Sequence, residues 1–176
     1  EGIKYGVIQD ASFFTFIEKS IDRILALKPD AISRLIETSS RIKARIVSLD
    51  ERDTKDARII LNFGHTFGHA IEAASHFKIT HGEGVAIGMA LACRLSEKLG
   101  LLDAASGRRI IHLIQRAGLP IRIPAFVKTS AILAALSHDK KFCRGRTRFV
   151  CLCGIGQTCI KENVPPALIR NLLRER

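Results

Sequence analysis

Arg58-Ile59-Ile60-Leu61-Asn62-Phe63-Gly64-His65-Thr66-Phe67-Gly68-His69-Ala70-Ile71-Glu72 is the run that decides how this chain is read, with His81-Gly82-Glu83-Gly84 a short way behind it. Taken as a helix, Arg58, Asn62, His65, His69 and Glu72 step by four, three, four and three, which stacks them on one face. Ile60, Phe63, Phe67, Ile71 and Ala74 fall on the other side at the spacing of a buried stripe. A wet helix face in a basic protein is normally Lys and Glu. This one carries imidazoles, an amide and a guanidinium, the contents of a binding site. Gly64 and Gly68 each precede a histidine, and each costs about 1 kcal/mol relative to Ala inside a helix. Their presence predicts that a neighbouring helix or a ligand comes close to the backbone. A lone His is more often a core residue satisfied by hydrogen bonds. The pair His65 and His69 on a polar stripe, joined by His81 in a Gly-flanked turn over residues 76–84, reverses that preference.

Outward from this run, 176 residues make one domain able to bury a real core, and 47% apolar content excludes disorder. No apolar run approaches the length of a membrane span, and the start does not look like a signal peptide. The chain opens on Glu1-Gly2-Ile3-Lys4-Tyr5-Gly6 without Met, which reads as the interior of a longer protein. The formal charge of +11 suits anionic partners. One Tyr, no Trp and no known binding module turn that reading away from nucleic acid and towards small anionic substrates. Five cysteines, an odd number placed mostly late, predict a reduced, cytoplasmic protein. Cys151 and Cys153 would share one face of a strand. With Cys143 and Cys159 they lack the Cys-x2-Cys knuckle of a structural zinc site, so that reading is set aside.

Apolar spacing predicts a helix over 12–27, capped by Asp10 or Ser12, that buries Phe13, Phe16, Ile17, Ile21, Ile24 and Leu25. A second helix starts at Pro29 and buries Ile32, Leu35, Ile36, Ile42, Ile46 and Val47. Residues 50–56 are a charged connection. A small-residue helix runs from Val85 to a stop at Gly100, and another from Ser106 to Ala117, where His112 is packing or surface. Thr129–Leu136 is helical, and His138 to Lys141 form a charged turn. Arg146–Leu152 is a strand turning at Gly154 and Gly156, and Pro165-Pro166 opens a last helix with a basic end. The expected fold is mainly α, a multi-helix domain with one small β-hairpin.

His65 and His81 with one carboxylate would make a two-nitrogen, one-oxygen site with an open position, the usual catalytic zinc arrangement. Glu1, Glu72 and Glu83 are the candidate carboxylates. Thr66 follows His65, so the general base of a His-Glu-x2-His metalloprotease is missing.

Residues 62–72, with His81-Gly82-Glu83-Gly84-Val85-Ala86-Ile87-Gly88-Met89, resemble the 3-dehydroquinate synthase family. So do Glu1-x2-Lys4-Tyr5-Gly6, Lys43-Ala44 followed by Val47-x2-Asp50-Glu51-Arg52, Asp139-Lys140-Lys141, and Arg148-Phe149-Val150 with Gly154-Ile155-Gly156. Gly2 stands where the family usually has Val. The resemblance covers the whole chain and corresponds to the family's helical C-terminal half. It implies one metal- and substrate-binding domain over 1–176, with the family's N-terminal Rossmann-like NAD domain absent from this chain. It also implies that Glu1, His65 and His81 hold Zn2+ or Co2+. Lys4, Lys43, Arg58, Asn62 and His69 would line the substrate pocket, and Lys140 or Lys141 would close over it.

The implied activity is a step of the shikimate pathway to aromatic amino acids. This phosphate-eliminating lyase, which uses NAD+ catalytically, converts 3-deoxy-D-arabino-heptulosonate 7-phosphate to 3-dehydroquinate. A homodimer in the cytoplasm, with no membrane or nucleic-acid partner, is expected. The 176 residues alone are expected to bind metal with little or no turnover. The rival readings are another sugar-phosphate cyclase, a metal-dependent alcohol dehydrogenase of the same superfamily, and a helical metal-binding domain without catalysis.

Overall fold

Asp10 ends one helix and starts the next. In the computed structural model, which describes residues 1–51, 56–138 and 148–175, it lies between α1 (Gly2–Gln9) and α2 (Ala11–Leu25). Its carboxylate accepts the Phe13 N–H at 2.9 Å and the Ser12 hydroxyl at 2.6 Å. Partial burial pushes its pKa up, but those hydrogen bonds outweigh it and the net shift is downward. Asp10→Ala is therefore expected to cost about 1 kcal/mol of unfolding free energy. Because the folded pKa is depressed, this contribution is complete above the ordinary Asp range and fades as pH falls through the lowered value. Urea melts of both proteins across that acid range should converge; a gap that does not narrow would sink the assignment.

α3 (Pro29–Leu49) follows, with Pro29 in its first turn. Two apolar expectations fail here. Leu25 and Ile36 are exposed, while Phe14 is fully buried. α3 buries the narrower line Ala31, Thr38, Ile42 and Ile46 where it packs on α1 and α2, and Ile36 is left outside. Gly2 has its own reason: a Cβ there would come within 2.7 Å of Leu35 Cδ1.

The opening run is not one helix. A 3-10 helix covers Ala57–Asn62, and α4 starts only at His65 and runs to Ala74. Between them Gly64 takes φ +78°, a left-handed conformation that breaks the helix. At three residues per turn, Arg58 and Asn62 do not stack on one side, so the five-residue polar stripe is cut in two. The buried stripe does hold for Phe63, Phe67 and Ile71.

α5 (His81–Lys98) takes in the residues expected to form a turn. Thr80 precedes it, and the Glu83 carboxylate accepts the Thr80 N–H at 2.9 Å and its hydroxyl at 2.7 Å. This helix is the centre of the domain. Val85, Ala86, Met89, Ala92 and Cys93 enter one apolar cluster with α1, α2 and α3. Ile87, Leu91 and Leu95 enter a second with α4 and with α7 (Thr129–His138). Between α5 and α7 lies α6 (Ala104–Arg116), whose Ile110, Leu113 and Ile114 join the first cluster. A helical stretch that is apolar on every side has to be enclosed, and α5 is buried at every position from Gly84 to Cys93.

β1 (Arg148–Gly154) and β2 (Gln157–Glu162) form the antiparallel hairpin, and α8 (Pro166–Arg174) closes the second cluster. β1 is covered on both faces: Val150 and Leu152 join the first cluster, Phe149 and Cys151 the second. Cys151 and Cys153 are not equivalent as expected, since Cys151 is buried and Cys153 exposed. Leu152 pairs with Thr158 and Gly154 with Gln157, which leaves Cys153 as an extra residue in a bulge. Cys143, Lys140, Lys141, Arg146 and Arg176 lie outside the described residues. Among the described residues the fold is the expected one, helical with one small hairpin. Among the described residues, no helix is long and apolar enough to cross a membrane.

Candidate metal centre

The α4–α5 pair sets the geometry, and its glycines determine how close the two helices lie. A Cβ on Gly88 would run into the Gly64 carbonyl oxygen and come within 2.8 Å of the Gly68 nitrogen. One on Gly68 would meet the Gly84 carbonyl at 3.0 Å. The close approach predicted at Gly64 and Gly68 is thus a helix on a helix. It brings the start of α5 to the exposed side of α4, where His65, His69 and His81 offer ligand atoms all within 4.8 Å of one another. Ring centroids are 5.4 Å apart for His65–His69 and for His65–His81, and 5.7 Å for His69–His81.

Two of these rings are held. The Phe63 carbonyl, which can only accept, lies 3.1 Å from His65 Nδ1, so that nitrogen carries the proton and Nε2 the lone pair. His81 Nδ1 is 3.1 Å from Glu72 Oε1, which assigns its tautomer in the same way. Glu72 is thereby placed behind His81 as an orienting carboxylate, and only the absence of a side chain on Gly84 leaves it room: a Cβ there would lie 2.9 Å from Glu72 Cγ. Among the described residues no hydrogen bond fixes the His69 ring. Glu83, another candidate carboxylate, is occupied by Thr80.

Glu1 reaches the cluster from the start of α1, with Oε1 3.7 Å from His65 Nε2. Its other oxygen pairs with Lys4 Nζ at 2.9 Å, and Lys4, almost wholly buried, also donates to the Leu61 carbonyl at 2.9 Å. Burial, then the nearby Lys43 charge, pulls the Lys4 ammonium below its ordinary pKa, against the pairing with Glu1. Burial and the Glu1 charge push Tyr5 up to about 12. His65 is held below its usual value by burial and by the Lys4 charge, which favours the neutral, ligating imidazole.

Arg58 and Asn62 are half-buried on the 3-10 helix, and Lys43 is exposed on α3. The start of the 3-10 helix is tied to β1 by Arg148, which donates to both Asp56 oxygens at 3.1 and 2.9 Å. Sequence reasoning missed the Phe63 and Leu61 carbonyls, because backbone acceptors leave no trace in residue identity.

Neutral imidazole nitrogens of fixed tautomer beside a carboxylate fit a divalent ion of borderline softness. The helical scaffold that carries them is of the fold class seen in two solved synthases. A 2-epi-5-epi-valiolone synthase from Streptomyces hygroscopicus, whose structure holds NAD+ and Zn2+, matches 98% of this chain and 48% of its own. The TM-score is 0.87 and the identity 24%. A 2-deoxy-scyllo-inosose synthase complexed with carbaglucose-6-phosphate, NAD+ and Co2+ matches 99% of this chain and 50% of its own, at TM-score 0.84 and 26% identity.

Within that class, residues 1–142 match the 3-dehydroquinate synthase C-terminal family, and the chain belongs to it. A 3-dehydroquinate synthase from Acidithiobacillus ferrooxidans is 45% identical over 175 residues, 99% of this chain and 48% of that protein. One from Picosynechococcus is 44% identical over 176 residues, 98% of this chain and 48% of that protein. The chain spans about half the length of these curated relatives.

Proposed function

We propose that this chain is the metal- and substrate-binding part of a 3-dehydroquinate synthase, a lyase that converts 3-deoxy-D-arabino-heptulosonate 7-phosphate to 3-dehydroquinate and phosphate. The observation that carries this reading is the convergence of His65, His69 and His81 with Glu1 and the buried Lys4, in a chain whose relatives at 44–45% identity bear that name. NAD+ is assigned to a Rossmann-like half elsewhere in the parent protein, and the working form is taken as a homodimer.

Glu1, His65 and His81 would hold the ion, Zn2+ or Co2+. When bound, it supplies Lewis-acid polarisation of a substrate hydroxyl. The remaining work falls to side chains. Lys4, immobilised by Glu1 and the Leu61 carbonyl, presents a cation of fixed position to the substrate's oxygens. Arg58 and Lys43 bring two further cations to the carboxylate and phosphate, with Arg58 able to grip two oxygens at once. Asn62 offers both a donor and an acceptor to a sugar hydroxyl. His69, whose ring no hydrogen bond among the described residues fixes, is assigned to the substrate rather than to the ion. Lys140 or Lys141 is proposed to close the pocket.

Phosphate release by the full-length protein tests the reading. Turnover is expected with the carboxylated heptulosonate phosphate, and little with a hexose 6-phosphate or a heptulose 7-phosphate lacking the carboxylate. The reverse preference would move the protein to another sugar-phosphate cyclase. Glu72→Ala is expected to weaken metal affinity 10–100-fold, because His81 loses the partner that orients it. Competition with a chelator of known affinity reads this directly, and unchanged affinity would remove Glu72 from its role behind His81.

A further inference from the structure

We propose that Cys153 and Cys159 are a redox modification site, forming a reversible disulfide across the β1–β2 hairpin when a peroxide oxidises them. The two Sγ atoms stand 2.9 Å apart, inside the contact distance of two unbonded sulfurs. The bulge produces this pairing. In the regular ladder Cys159 faces Cys151, but the extra residue at Cys153 displaces that side chain from the ladder and towards Cys159. Among the described cysteines, access selects the same pair. Cys153 is exposed and Cys159 half-buried, while Cys93 and Cys151 are sealed in the core.

The chemistry balances with hydrogen peroxide as the oxidant. Cys153 sulfur attacks one peroxide oxygen, the O–O bond breaks, and a sulfenic acid and one water result. Cys159 sulfur then attacks the sulfenic sulfur. The S–S bond forms, the S–O bond breaks, and the leaving oxygen departs as a second water with the Cys159 proton. The sulfurs lose two electrons in all and peroxide gains them; a dithiol reverses the change by exchange. Burial pushes the Cys159 thiol up to about 12, so it remains protonated in the first step and the exposed Cys153 meets the oxidant. The staple spans the turn that contains Gly156, whose N–H donates to the Val7 carbonyl of α1 at 2.8 Å. Because the closed loop is short, the expected gain in Tm is small.

Treating the intact protein with hydrogen peroxide, blocking remaining thiols by alkylation and measuring intact mass tests the proposal. The expected result is loss of two hydrogens and of two alkylatable thiols, a peptide cross-link joining residues 153 and 159, and full recovery with dithiothreitol. C159S should stop at a sulfenic acid on Cys153 that dimedone traps, and C153S should form no cross-link. The proposal is overturned if both thiols stay alkylatable at peroxide levels that oxidise free glutathione. It is equally overturned by a cross-link through Cys151, Cys143, Cys93 or a second molecule.

Discussion

His65→Ala and His81→Ala in the intact protein are each expected to lose stoichiometric metal, with metal affinity falling further than the roughly 10–100-fold that loss of an outer partner costs. The reason is the fixed tautomers: the Phe63 carbonyl and Glu72 engage Nδ1 of each ring, which leaves Nε2 as the nitrogen with a lone pair for an ion. His69→Ala is the informative contrast. Its ligand atom also lies within 4.8 Å of the other two, yet no hydrogen bond among the described residues orients it. It is expected to keep the metal and lose turnover. Elemental analysis and chelator competition on the three variants separate these roles. Full zinc retention in both His65→Ala and His81→Ala would falsify the assignment, and metal loss in His69→Ala would add His69 to the ligand set.

Gly88→Ala is expected to be the most damaging small substitution, at about 3 kcal/mol or more. A methyl there would run into the Gly64 carbonyl and the Gly68 amide, which are backbone and have no rotamer to give. Relief requires α4 to move off α5, and that shift separates His65 and His69 from His81. Tm and metal affinity should therefore fall together. Gly82→Ala is the control: a Cβ there meets nothing within 4 Å, so the change should stay within about 0.5 kcal/mol. Equal stability of the two variants would show that the helices are not held in contact through their glycines.

Much of this fold could be read from residue spacing. The helices over α2, α3, α6 and α7, the hairpin and the Pro-initiated last helix all carry local signals: apolar periodicity, caps at Asp10 and Pro29, stops at Gly100 and Gly118. The errors fell where tertiary contact overrode a local pattern. The helical pattern from Arg58 to Glu72 runs without a break in sequence, but Gly64 takes a left-handed φ so that its backbone can lie against Met89 and Gly88. His81 to Gly84 look like a turn because two glycines flank the acid, yet the Thr80–Glu83 exchange starts α5 there. Cys151 and Cys153 share a face only in an ideal strand, and the bulge is invisible until β2 is paired.

Residue order alone carries the helical class, the family and the chemical types gathered near the site. Those follow from periodicity and from rare residues at fixed spacing, both local properties of the chain. Which groups meet is set by packing: the glycine-faced contact that brings His81 onto α4, the Phe63 and Glu72 acceptors that set two tautomers, and Glu1 held beside His65 by a buried lysine. Such contacts join residues far apart in the chain and often end on backbone atoms, whose positions residue identity does not encode.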